Sequence, residues 1–180
     1  MKDILPIAFP ILIVLIVIGW CIRTRNGFVE KEILVEEGRS GIEVALAKRY
    51  NLLTNLLQVT KGYMAHEKEV FTQIVELRKN MTVEELQTAK DQIDGFQTSL
   101  FAVVEGYPQL KASEVCVRLM HGIRDAEEHL QAARRLYNAN VTAYNTAIAV
   151  FPASLLAGGR RPKAFFAAGE EQHSNVSMTF

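Results

Sequence analysis

The chain has 180 residues, with 20 basic and 20 acidic side chains and hence no net charge at pH 7. Residues 1–26 hold three of the basic groups and one of the acidic ones, so the remainder is slightly acidic and lacks the electrostatic footprint of a nucleic-acid binder. Cys21 lies in an apolar N-terminal run and Cys116 stands alone in the rest, which excludes an intradomain disulfide and makes no demand on redox compartment.

Ile4 to Ile22 is an uncharged run, ILPIAFPILIVLIVIGWCI. As a helix it is about 28 Å long, close to the ~30 Å hydrocarbon core of a bilayer. This predicts one span, with Ile4, Leu12, Leu15, Ile18 and Ile22 among lipid and Trp20 at the interface. Pro6 suits a first turn, whereas Pro10 removes a backbone hydrogen bond. The run is too long for a signal-peptide core, and Trp20 is too large for the position before a lipoprotein cysteine, so the anchor is expected to stay uncleaved. Arg23, Arg25 and Lys31 follow it, against Lys2, Asp3 and the amino terminus before it. That excess favours a single-pass protein of the bacterial cell membrane with its C-terminal part in the cytoplasm.

Asn26-Gly27 predicts a break after the span. Residues 27–41 then read as an acidic, helix-compatible juxtamembrane linker in which Gly38 and Gly41 favour a bend. From Ile42 to Leu77, positions in alternating steps of four and three form a mostly apolar stripe: Ile42, Leu46, Arg49, Leu53, Leu56, Thr60, Tyr63, Glu67, Val70, Ile74, Leu77. A flanking row of Leu57, Met64 and Phe71 widens the stripe. This helix would be a rod of about 54 Å, too long to bury its stripe without neighbours.

Thr82 and Glu85 form a Thr-x-x-Glu capping box. The next helix carries Leu86, Ala89, Ile93, Phe96, Leu100 and Val103 on one face and closes at Gly106-Tyr107-Pro108. Ser113 is the next predicted N-cap. A third helix from there to Phe151 repeats the alternation through Cys116, Leu119, Ile123, Ala126, Leu130, Ala133, Tyr137, Asn140, Tyr144, Ala147 and Phe151. At about 58 Å it matches the first rod, and Pro152 stops it. Residues 153–166 are expected to return along the bundle and dock Phe165 and Phe166. The predicted architecture is all-α: residues 1–26 a single transmembrane helix, 42–166 an elongated antiparallel bundle of three to four helices, and 167–180 a polar tail.

The chain resembles the LemA family. The resemblance rests on Lys48-Arg49-Tyr50-Asn51-Leu52-Leu53, Asn55-Leu56, Thr60-Lys61-Gly62-Tyr63 and His66-Glu67. It continues through Glu105-Gly106-Tyr107-Pro108-Gln109-Leu110-Lys111-Ala112, Ala133-Arg134-Arg135-Leu136-Tyr137-Asn138, Val141, Tyr144-Asn145 and Phe151-Pro152. The ordered set covers residues 42–152. Thr54 stands where family members often have Pro, which implies a straighter first rod. The resemblance implies a membrane-anchored antiparallel bundle and says little about function. A protein of magnetosome formation also looks like a relative, which points towards membrane organisation.

Arg49 and Glu67 fall on the apolar stripe, where a charge needs a counter-charge. Glu127 is the expected mate of Arg49, and Arg134 that of Glu67. Tyr137-Asn138 and Tyr144-Asn145 repeat seven residues apart and share a face, either lining a groove or satisfying polar groups at the bundle edge. His121, Asp125, Glu128 and His129 have metal-like helical spacing, but the first three oppose the apolar stripe and read as a solvated face. No catalytic residue, metal or cofactor is expected. The expected function is a structural or scaffolding membrane protein that self-assembles into a homo-oligomer. The alternative is an adaptor for another membrane or signalling protein.

Overall fold

The structure, a computed structural model, describes residues 5–61 and 80–167. Four helices follow in order: α1 (Leu5–Thr60), α2 (Val83–Gly106), the single turn α3 (Pro108–Lys111) and α4 (Glu114–Ala149). A 3-10 turn over Ala153–Leu156 leads into an extended segment that runs to Ala167. The expected extension of the first rod to Leu77, with Gly62, Tyr63, His66 and Glu67, lies outside the described residues, as do Ile4 and the end of the polar tail.

The break favoured at Asn26-Gly27 does not occur. One helix of 56 residues passes through that pair and through Gly38 and Gly41, a length of about 84 Å. The reason is tertiary. A glycine costs a helix interior about 1 kcal/mol relative to alanine, whereas Phe28 directly after the pair is buried against the bundle, and burying a side chain of that size contributes about 1.5–3 kcal/mol. Phe28 and Val35 extend the buried stripe of α1, which continues through Ile42, Leu46, Arg49, Leu53, Leu56 and Thr60. The stripe therefore starts well ahead of Ile42.

The main packing pair is α1 with α4, and the two run antiparallel. Leu52 faces Gly122, Arg49 meets Glu127, Gly41 faces Ala133, Gly38 faces Tyr137, and Leu34 meets Asn140. Each step along α1 is matched by a step back along α4. Gly38 permits the closest approach: a Cβ there would sit 3.0 Å from the Tyr137 Cα. The second neighbour, α2, begins beside Arg39 and Glu43 and passes Arg49 and Tyr50 at its middle.

Local signals act as the residues dictate. Thr82 Oγ1 accepts from the Glu85 amide at 3.2 Å, and the Glu85 carboxylate accepts from the Thr82 amide at 2.8 Å, so two amides at the start of α2 are satisfied reciprocally. Asn80 enters this start with φ 61°, a left-handed conformation that asparagine tolerates better than most residues. Pro108 opens α3 at its first position, and Ser113 occupies the N-cap of α4 but makes no side-chain cap bond. The α4 helix ends at Ala149, one turn short of Pro152.

Phe151 departs from its expected place on the buried stripe: it lies beyond the helix and is 76% exposed. Of the two aromatics expected to dock, Phe166 is 1% exposed and Phe165 remains in solvent. An extended segment alternates its side chains, so adjacent residues cannot both face the bundle.

Candidate functional site

Two constellations stand out, a charged joint in the bundle and a polar ladder along α4. The joint centres on Arg49, which is 3% exposed. Its Nε and Nη2 donate to Gln97 Oε1 at 3.0 and 2.8 Å. Its Nη1 lies 2.7 Å from both Asp94 Oδ1 and Glu127 Oε2. These two contacts are charge pairs rather than aligned hydrogen bonds, since Nη1 and Glu127 Oε2 meet no hydrogen-bond geometry. Lys90 approaches Asp94 at 2.6 Å. Two cations and two anions thus tie α1 to α2 and α4.

Glu127 is the mate that helix spacing anticipates for Arg49. Asp94, Gln97 and Lys90 were not legible in this role, although Lys90 and Asp94 stand one helical turn apart. A second clamp was also missed. Arg39 donates to Glu36 at 2.6 Å, to Glu43, and to the Met81 carbonyl at 2.7 Å, and Glu43 accepts from the Met81 amide at 3.0 Å. Burial opposes the charge on Arg39, but the two glutamates outweigh it and raise its pKa. The pair fixes the entry to α2 against α1.

The ladder uses the Tyr–Asn repeat of α4. Asn145 donates from Nδ2 to the Lys163 carbonyl at 3.0 Å and accepts the Lys163 amide at 2.8 Å. Asn138 exchanges the same two bonds with Phe166, at 3.0 and 2.9 Å. The Tyr137 hydroxyl donates to the Ala164 carbonyl at 2.8 Å, and beyond Asn138 the Arg134 Nη2 donates to the Ala167 carbonyl at 2.6 Å. The spacing has a simple cause. Seven helical residues rise about 10.5 Å, and three extended residues cover about 10 Å. Two asparagines a heptad apart therefore read backbone positions three apart on a strap that runs antiparallel to α4.

Residues 160–167 form this strap, and it lies over the groove between α1 and α4. Lys163 pairs with Glu32 of α1 at 3.1 Å and sits 5.9 Å from the centre of the Tyr144 ring. The Arg134 guanidinium lies 5.1 Å over Phe166, and that of Arg160 lies 5.4 Å over Phe28. Burial pushes the Tyr137 phenol up, Glu84 and Glu36 add to the shift, and Arg39 opposes it. The expected mate of Arg134, Glu67, is outside the described residues.

The other sequence candidates are scattered. Tyr50 packs on Phe96 with ring centres 6.4 Å apart, while Asn51, Asn55, Lys61 and Arg135 face solvent. Tyr107 is half-buried and Pro108 and Pro152 are exposed. His121, Asp125, Glu128 and His129 are all exposed, and among the described residues no three His, Cys, Asp or Glu side chains gather to hold a metal. Leu12, Leu15, Ile18, Trp20 and Ile22 are exposed along the first part of α1. Among the described residues this is one helix long and apolar enough to cross a membrane.

A third feature lies where α4 ends beside α1. An open apolar cleft of about 550 Å³ is lined there by Gly27, Phe28, Ala143, Ala147, Val150 and Ala153, with Thr24, Lys31 and Thr146 at its margin.

The sequence also matches known proteins. The profile of the LemA family matches residues 38–180. The chain is 26% identical over 184 residues to the magnetosome protein MamQ of Magnetospirillum gryphiswaldense, a match covering 85% of this chain and 67% of MamQ. It is 27% identical over 132 residues to protein LemA of Metamycoplasma hominis, covering 71% of this chain and 60% of that one. With an ordered motif set, an apolar first helix packed on later helices, and a family match over most of its length, this chain belongs to the LemA family.

Proposed function

We propose that this chain is a single-span membrane protein whose helical bundle self-assembles into a structural scaffold, without enzymatic activity. The observation that carries the reading is an apolar row on α1 that stays in solvent. Ile22, Val29, Ile33 and Val44 are exposed, and helical spacing puts them on one side of α1, turned away from the buried stripe. The row prolongs the lipid-facing surface of the apolar run into the bundle. Exposed apolar side chains aligned on one helix face mark an interaction site, and a row that leads on from a span is met most simply by the same row of another copy.

Charge supports the orientation. Arg23, Arg25 and Lys31 follow the apolar run directly, which favours the bundle on the cytoplasmic side of a bacterial membrane. The magnetosome relative fits a role in membrane organisation. An adaptor that presents the Tyr–Asn face to another membrane protein would first have to shed the strap, because Asn138 and Asn145 are engaged by Phe166 and Lys163.

The test is the mass of the full-length protein in mild detergent, by light scattering with single-particle imaging. A discrete oligomer is expected, shifting towards monomer in a V29E/I33E variant of unchanged helicity. A strictly monomeric wild type at high concentration would sink the scaffold reading.

A further inference from the structure

We propose that the end of the bundle, at the turn following α4, is a second membrane contact that docks on an anionic bilayer surface beside the span. The inference rests on the membrane reading above and adds a surface to it. The antiparallel register brings the end of α4 back to the start of the bundle, and Val150 and Ala153 line one cleft with Thr24 and Phe28. Thr24 is two residues beyond Ile22, about 3 Å along the helix axis. The headgroup region on each side of a bilayer is roughly 5–7 Å deep. A turn at the level of Thr24 therefore lies within that layer when Ile22 marks the edge of the hydrocarbon.

The side chains offered at this level suit it. Phe151 is 76% exposed, Leu155 75% and Val150 53%, three large apolar groups turned largely to solvent. The cleft beside them is apolar and open, a shape that accepts part of an acyl chain. The two segments that meet at this cleft carry an excess of cations. Residues 23–32 and 150–163 hold Arg23, Arg25, Lys31, Arg160, Arg161 and Lys163 against Glu30 and Glu32, in a chain with no net charge overall. Lys163 is engaged by Glu32. Arg160 lies over Phe28 and its Nη1 donates to the Ala157 carbonyl at 3.4 Å, while Arg161 beside it is exposed. Exposed apolar groups on segments with an excess of cations are the pattern of an interfacial lipid contact.

Trp20 is the single tryptophan of the chain, which makes the two membrane contacts separable. The full-length protein is reconstituted in vesicles containing phosphatidylglycerol, with brominated acyl chains as quencher from the lipid side and acrylamide from the water side. Wild-type fluorescence reports the span. A W20F/F151W variant reports the turn, and W20F/L155W is a second probe at another exposed site. Lipid-side quenching of both probes is expected, with a blue-shifted emission that weakens at least twofold in phosphatidylcholine alone or with R160Q/R161Q.

Trp20 quenched by lipid while the turn probes respond only to acrylamide would overturn the proposal and leave the span standing. Turn probes shielded from both quenchers would mean a contact between copies, and would overturn it too. Equal quenching with and without phosphatidylglycerol would remove the anionic surface from the assignment. If Trp20 itself escapes lipid-side quenching, the membrane reading falls and takes the second contact with it.

Discussion

At the residue scale, glycine shows how position decides the sign of an effect. Gly38 and Gly95 both sit inside helices, where replacing glycine by alanine gains about 1 kcal/mol from backbone entropy alone. At Gly95 nothing lies within 4 Å of the added Cβ, so G95A should stabilise the protein by about 0.5–1 kcal/mol. At Gly38 the new Cβ would meet the Tyr137 backbone at 3.0 Å. Backbone cannot rotate away as a long side chain would, and overpacking of this kind costs about 1–3 kcal/mol. G38A should therefore be neutral to destabilising despite its better helix propensity. Thermal unfolding of the two variants side by side checks this, and G38A rising as far as G95A would deny the close approach.

At the scale of elements, the strap is held by side-chain-to-backbone bonds rather than by a strand ladder. Each asparagine supplies two such bonds, and one is worth about 0.5–1.5 kcal/mol net. N138A/N145A should thus release residues 160–167 locally while α1 and α4 keep their buried stripe. Limited trypsin digestion read by mass spectrometry is the measurement. Cleavage after Arg160 and Lys163 should accelerate at least tenfold, with helicity unchanged. Equal cleavage in wild type and variant would show that the ladder does not hold the strap. This element also explains why the two aromatics of the return segment differ, since alternation permits Phe166 and not Phe165 to face the core.

At the scale of the whole molecule, the charged joint connects three helices at one buried point. R49A would leave Asp94 and Glu127 facing each other without their shared cation. Loss of one member of a fully buried pair costs about 3–5 kcal/mol, but these two carboxylates are partly exposed, so about 2–3 kcal/mol is expected. Chemical denaturation gives the number, and a double-mutant cycle with E127Q should show coupling, because the residues share one contact network. An R49A variant within 0.5 kcal/mol of wild type, the usual range of surface changes, would mark the joint as dispensable. A joint of this kind also favours one register: sliding α4 by one turn on α1 would take Glu127 away from Arg49 and leave the cation to Asp94 and Gln97 of α2. The same fixed register returns the end of α4 to the level of Thr24, just beyond the apolar run.

Whatever depends on one helix at a time was legible in the amino-acid order. The apolar run, the alternation of the buried stripes, the Thr82–Glu85 box and the stop at Pro108 are local patterns, and a helix displays them through its own period. The Arg49–Glu127 pair was legible for a related reason, since a charge on an apolar stripe demands a mate and few candidates face it. What depends on which elements meet was decided only by tertiary structure. Asn26-Gly27 stays helical because Phe28 finds a place in the bundle, and Gly38 matters because Tyr137 comes to rest against it. Phe151 stays exposed because α4 ends a turn early. The Tyr–Asn repeat carries no sign of what it binds until the strap lies across it, because the match of seven helical residues to three extended ones exists only once the two segments are side by side.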